Sequence, residues 1–151
     1  MLLNDGDWAL RGSLLPEGLT LGVNLRGELR LASDDEGTSA TGSLVIGDDA
    51  PRHLSVRVAP NESGQYQLQL VLDGAALDGV GKLDSLPHLA SLRSESGDAV
   101  AVTLFRTESG VGCRGFLSQD SGTLTWEAEL RLERSAGRAP GANVVTLRPR
   151  R

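Results

Sequence analysis

The stretch LTLGVNLRGELRL at residues 19–31 has an apolar residue or glycine at every odd position and, except at Gly22, a polar residue at every even position. Side chains point alternately to the two faces of a β-strand, so the pattern predicts one long strand with a buried and an exposed face. The same alternation runs through residues 124–132 and 66–72. The sequence therefore predicts an all-β protein.

Short turn sequences separate these stretches. An acidic residue, one further residue and then glycine recur at residues 35–37, 62–64, 95–97, 108–110 and 120–122. A glycine there supplies the positive φ that closes a β-hairpin. The spacing predicts strands at about 8–15, 19–32, 38–46, 52–59, 65–72, 77–83, 87–93, 99–106, 111–118 and 123–133.

Strands joined by short turns form an antiparallel up-and-down meander, here of about 8–10 strands. A sheet of that many strands leaves exposed edges unless it closes, so we expect a barrel, with a two-sheet β-sandwich as the alternative. Residues 1–134 form this barrel domain. Residues 135–151 form an arginine-rich C-terminal tail, in which residues 143–147 could dock as an extra strand.

Charge is unevenly distributed along the chain. Residues 1–133 carry 20 acidic and 10 basic side chains, whereas residues 134–151 carry five arginines and no acid. The acids fall in turns at both ends of the predicted barrel, where they repel nucleic acid, anionic lipid and free fatty acids. We therefore expect neither a nucleic-acid partner nor a membrane partner, and we expect the tail to dock on an acidic rim.

Cys113 is the only cysteine, so no intrachain disulfide can form. The N-terminus lacks the pattern of a signal peptide, and no apolar run is long enough to span a bilayer. A reducing cytoplasm is the expected location. Cys113 itself is expected to be buried and inert, and no metal site or catalytic residue is predicted because the two histidines lie 35 residues apart with no ligand nearby in the sequence.

The beginning of the first strand and the end of the last carry a resemblance to a known group of barrels. Gly6-Asp7-Trp8 opens the first strand, and Arg131 and Arg134 lie at the end of the last. This arrangement resembles the calycin superfamily of lipocalins, fatty-acid-binding proteins and avidins. The resemblance implies a barrel that is open at one end and holds a small apolar ligand, with Trp8 structural and Arg131 or Arg134 over its ring.

Five residues are predicted to line the interior and contact a ligand there: Trp126, Tyr66, His88, Val23 and Leu25. Apart from His88 the predicted lining is mostly apolar, and a polar group in an apolar pocket fixes the orientation of a ligand. We expect non-enzymatic binding of a small, neutral or cationic, mostly apolar molecule, without a cofactor. The alternatives are a cofactor-independent isomerase or cyclase that uses the cavity, and a structural or interaction protein with a packed interior.

One strand is apolar on both faces. Residues 99–105 read AVAVTLF, so an outward-facing side also carries apolar side chains. Such a strand predicts a contact with another sheet, with the tail or with a second subunit. A homo-oligomer through this strand or through the tail is therefore expected as a further kind of partnership.

Overall fold

The computed structural model describes residues 2–135. Ten β-strands make up this part of the chain: β1 (Gly6–Pro16), β2 (Val23–Asp34), β3 (Gly37–Ile46), β4 (Arg52–Pro60), β5 (Tyr66–Leu72), β6 (Ala75–Lys82), β7 (His88–Arg93), β8 (Ala99–Arg106), β9 (Val111–Gln119) and β10 (Gly122–Ser135).

Every strand pairs antiparallel with its neighbour in sequence, and β1 also pairs with β10. The sheet therefore closes into a ten-stranded up-and-down barrel. The predictions of an all-β meander and of closure are confirmed, and the two-sheet sandwich is not the arrangement that the chain adopts. The predicted extra strand at residues 143–147 lies outside the described residues, as does the tail beyond Ser135.

The register identifies the inner face of the barrel. Residues opposite one another on paired strands share a face, and the buried Leu10 lies opposite Leu130 on β10 and Gly27 on β2. Following the pairs round the barrel places an almost wholly apolar set inside. Among its larger members are Trp8, Leu14, Val23, Leu25, Leu44, Ile46, Leu54, Val56, Leu68, Leu72, Leu77, Leu92, Val100, Leu117, Leu124 and Trp126.

The second strand starts later than the sequence predicts. β2 begins at Val23, and the loop before it leaves Leu19 at 53% and Leu21 at 81% exposure. The loop is held to β10, because the N–H of Glu17 donates to the carbonyl of Thr123 at 2.8 Å and the N–H of Thr123 donates to the Glu17 carboxylate at 3.0 Å. The prediction that residues 19–22 belong to the strand is therefore wrong.

Two groups of side chains form the core. The first includes Trp8, Leu10 and Leu130 and lies along β1, β2, β9 and β10. The second includes Leu68 and Leu92 and lies along β5 to β8. Trp126 packs against both groups. It therefore joins the two halves of the interior.

Candidate ligand-binding interior

One end of the barrel, here called the N-terminal end, is covered by the first residues of the chain. Leu2 and Leu3 pack against the core, and the indole N–H of Trp8 donates to the carbonyl of Asn4 at 2.9 Å. The N–H of Leu2 donates to Nε2 of His88 at 3.1 Å. These contacts hold residues 2–5 across the end as a cover, called here the N-terminal seal.

His88 faces inward, as the sequence predicts, and is only 4% exposed. Its Nδ1 lies 3.0 Å from the carbonyl oxygen of Ser85, while Nε2 accepts from Leu2. A neutral ring with its proton on Nδ1 satisfies both contacts. Both ring nitrogens are thus used by the backbone of this chain, and His88 anchors the N-terminal seal.

Trp126 and Cys113 lie side by side on the inner face near the middle of the barrel. The Trp126 indole is near enough to the Cys113 thiol to influence its pKa. Burial raises the pKa of Cys113, and the Trp126 indole offsets part of that rise. A Cβ added at Gly115 would collide with the Trp126 ring, so this glycine leaves room for the indole. The thiol is kept protonated and weakly reactive here.

The five predicted lining residues are spread along the barrel axis. Tyr66 and His88 lie toward the N-terminal end, and the Tyr66 hydroxyl donates to Asp84 at 3.0 Å, a bond that raises the pKa of Tyr66. Val23 lies at the opposite end, next to the β1–β2 loop, and the buried Leu25 follows it inward. Trp126 lies between. The structure therefore does not gather them into one site.

The opposite end, here called the far end, is built differently. Its turns join β1 to β2, β3 to β4, β5 to β6, β7 to β8 and β9 to β10. Several inward-facing apolar side chains near these turns are only half-buried, and neither core group includes Val23, Leu54, Val56 or Leu72. Sequence reasoning missed Leu54, Val56 and Leu72 as lining residues, although the alternation in β4 and β5 carries the signal for them.

A basic side chain lies among these apolar residues at the rim. Arg52 begins β4 and is opposite Leu44, so it takes the inward-facing position two residues before Leu54. Its Nε lies 4.0 Å from Oδ2 of Asp73. The other carboxylate oxygen, Oδ1 of Asp73, accepts the backbone N–H of His53 at 2.9 Å.

The residues named by the calycin resemblance are placed as follows. Trp8 is buried in the core at the start of β1, a structural position. Arg131 bonds to Glu129 and Arg134 bonds to Asp7, both on the outer surface. Among the described residues, the Arg114 guanidinium forms a cation–π contact with Phe105, 5.1 Å from the centroid of the ring. The cation–π contact predicted between Trp8 and Arg131 or Arg134 is not found there.

The outer surface of β6 to β9 carries an apolar patch, called here the apolar wall. Leu89 is 51% and Phe116 is 43% exposed, and they lie opposite Thr103 and Ala101 of β8. The predicted apolar outer face of residues 99–105 is therefore present, and it extends to both neighbouring strands. The wall consists of Val80, Leu86, Leu89, Ala101, Thr103, Phe105 and Phe116.

Other kinds of site find no support in the described part of the chain. No three His, Cys, Asp or Glu side chains in residues 2–135 converge as a metal site would need. None of those residues forms a helix of the length and apolarity required to cross a membrane.

The fold defines a ten-stranded antiparallel closed β-barrel, an arrangement compatible with that of calycins. Comparison of the chain with known proteins gave no significant match to a family model, to a curated protein or to a solved structure.

Proposed function

We propose that the protein binds a small, uncharged or cationic, mostly apolar molecule inside the barrel, through the far end. The observation that carries the proposal is the difference between the two ends. At the N-terminal end Leu2 and Leu3 pack against the core and Trp8 and His88 are buried, whereas inward-facing Leu54 and Leu72 at the far end are half-buried and pack against neither core group. Half-buried apolar side chains on a concave face gain free energy when an apolar ligand covers them.

The calycin likeness belongs to this proposal. An up-and-down barrel with a buried tryptophan at the start of its first strand and one covered end supports it. Acidic turns at both ends favour uncharged or cationic ligands over anions, which also argues against nucleic acid and anionic membranes as partners. A cytoplasmic location is proposed with it, since a chain whose one cysteine is free and that has no disulfide fits a reducing compartment.

Binding is favoured over an isomerase or cyclase activity. An acid or base in catalysis needs a free titratable atom directed at the substrate. Both ring nitrogens of His88 are occupied by backbone groups, and the pKa of Cys113 is raised by burial. Neither His88 toward the N-terminal end nor Cys113 near the middle of the barrel therefore offers a free acid or base to a ligand.

The test uses N-phenyl-1-naphthylamine, an uncharged apolar fluorophore whose emission rises when it enters an apolar site. Titration into the wild type should give saturable binding. Leu72→Trp places an indole inside the far end and should weaken binding about 10-fold or more. Val71→Trp puts the same side chain on the outer face of the same strand and should leave binding unchanged.

Trp126→Ala should also weaken binding of the fluorophore, provided that the variant keeps the circular dichroism of the wild type. Fluorophore binding that is absent from the wild type, or equal in the Leu72→Trp and Val71→Trp variants, would remove the proposal. If the fluorophore binds as expected, native mass spectrometry of protein purified from its own host should give the mass of the natural ligand.

A second candidate function is self-association through the apolar wall. The strands that form the wall carry Lys82, Arg93 and Arg114 on their outer face against Asp78, with Glu127 paired to Arg114. Two copies of an otherwise acidic chain can approach there without the repulsion that their rims exert. Sedimentation velocity should show a dimer that Leu89→Glu dissociates and Gln69→Glu, on the outer face of β5, leaves intact.

A further inference from the structure

The far end combines an apolar interior with one inward-facing base. Arg52 takes the first inward position of β4, two residues before the half-buried Leu54 and nearer the rim. The other inward side chains at this level include Leu44, Ile46 and Leu72, none of which can hydrogen-bond. Arg52 is thus placed where the outer part of a molecule held among these leucines would meet it.

The guanidinium of Arg52 keeps its hydrogen-bonding capacity. Its contact with Asp73 is at 4.0 Å, beyond hydrogen-bond distance, and both side chains are about half exposed. By contrast, Arg30 and Arg57 donate to carboxylates at 2.7 and 2.9 Å. Within residues 2–135 the Arg52 side chain donates no hydrogen bond to another protein group, so its N–H donors are available to a ligand at the rim.

The charge around Arg52 selects the kind of acceptor. The turns of the far end contain seven carboxylates, at Glu17, Asp48, Asp49, Asp73, Glu95, Asp98 and Asp120. These carboxylates oppose the approach of an anion, while Arg52 itself opposes a cation at the point of contact. An uncharged acceptor such as a carbonyl oxygen avoids both penalties.

We infer that Arg52 donates a hydrogen bond to the polar end of the ligand, and that the ligand is an uncharged molecule with a carbonyl-type acceptor on an apolar body. This inference rests on the proposed function and narrows it. The apolar body lies against Leu54 and Leu72, and the acceptor lies at the rim. Asp73, whose Oδ1 accepts the N–H of His53, lies beside the guanidinium at 4.0 Å and leaves its N–H groups free to donate to the ligand.

The experiment compares three molecules of equal chain length: 2-decanone, decanoate and decylamine. Each is used to displace N-phenyl-1-naphthylamine from the wild type, from Arg52→Leu, from Arg52→Lys and from the control Arg26→Leu. Arg26 is an exposed arginine on the outer face of β2, opposite Arg11.

In the wild type, 2-decanone should displace the fluorophore at the lowest concentration. Arg52→Leu should weaken 2-decanone by about 5- to 10-fold, as expected for one partly exposed hydrogen bond to a charged group. Arg52→Lys should retain part of the preference for 2-decanone over decanoate and decylamine, and Arg26→Leu should retain all of it. Affinity for the fluorophore itself should stay within about 2-fold in every variant, because it makes no use of the guanidinium.

The contrary results are distinct. Equal weakening of 2-decanone by Arg52→Leu and Arg26→Leu, or none by either, overturns the role of Arg52 while fluorophore binding still supports the interior site. Decanoate or decylamine displacing best in the wild type overturns the uncharged class. No fluorophore binding to the wild type overturns the proposed function, and this inference with it.

Discussion

The backbone N–H of Leu2 donates to Nε2 of His88 at 3.1 Å and so ties together residues that are 86 positions apart in sequence. The ring is held from its other side by the carbonyl of Ser85. A buried imidazole whose two nitrogens are both paired with backbone groups stabilises the fold. Removing one partner leaves a buried donor or acceptor unsatisfied, and this costs more free energy than the hydrogen bond itself contributes. One side chain of β7 therefore contributes to the seal, together with the bond between Trp8 and Asn4.

His88→Leu should lower the free energy of unfolding by about 1–3 kcal/mol, since the Leu2 N–H and the Ser85 carbonyl lose their partner. The amide proton of Leu2 should then exchange much faster, which hydrogen exchange followed by NMR would measure. His53→Leu, at an exposed position, is the control and should change neither quantity. Unaltered exchange at Leu2 in the His88 variant would show that the seal holds without the histidine.

Cys113 should react slowly with the thiol reagent DTNB at pH 8. Burial raises the pKa of its thiol above the ordinary value, so the reactive thiolate is scarcer in the folded protein than in the unfolded chain. Addition of urea above the unfolding midpoint should restore the rate of a free cysteine. A fast reaction in the native protein would contradict the burial of the thiol.

Asp34 links a turn to a neighbouring strand, and its pKa gives a test at low pH. The hydrogen bond from Arg57, together with the N–H groups of Glu36 and Gly37, lowers the pKa of Asp34 from 3.8 to about 2. A depressed folded-state pKa stabilises the protein above the unfolded value, and that stability is lost as the pH falls from about 4 to about 2.

Arg57→Gln should therefore destabilise the protein most at pH 5 and least near pH 2, as measured by urea unfolding at both values. NMR titration of the Asp34 carboxyl carbon should show the pKa rising toward 3.8 in the variant. Arg26→Gln serves as the control. A variant whose Asp34 still titrates near 2 would show that the backbone donors alone set the value.

Gly79 lies on the inner face of β6 between Leu68 and Leu92. A Cβ there would collide with the carbonyl oxygen of Ser91, and lie 2.6 Å from Cα of Leu92, so the backbone would have to move. Gly79→Ala should cost about 1–3 kcal/mol of unfolding free energy, as overpacking does. Gly22→Ala, where the nearest atom is the Ser13 Cβ at 3.3 Å, should change stability by less than about 1 kcal/mol.

The strands were predictable because the alternation of apolar and polar residues is local. It placed β2 and β10 and the inward direction of His88 correctly, since side-chain direction depends only on position along the strand. The same rule could not separate Leu19 and Leu21 from the strand. Their alternation continues into a loop whose course is set by Glu17 contacting Thr123, 106 residues away.

The interior was harder to predict than the strands. Which inward-facing residues share a level depends on the register between strands, and a single sequence does not contain it. Tyr66 and Val23 both face inward yet lie near opposite ends of the barrel. The inward position of Arg52 at the rim likewise follows only from its pairing with Leu44 on the neighbouring strand.

Pairing of the first strand with the last has a consequence for synthesis on the ribosome. Trp8 finds its partner Leu132 only when almost the whole described chain has been translated. Until then the nascent sheet has two unpaired margins that can join those of other chains. A fragment ending before Gly122 should accordingly accumulate in inclusion bodies. The closed barrel, by contrast, has no free strand edge to which another chain could pair.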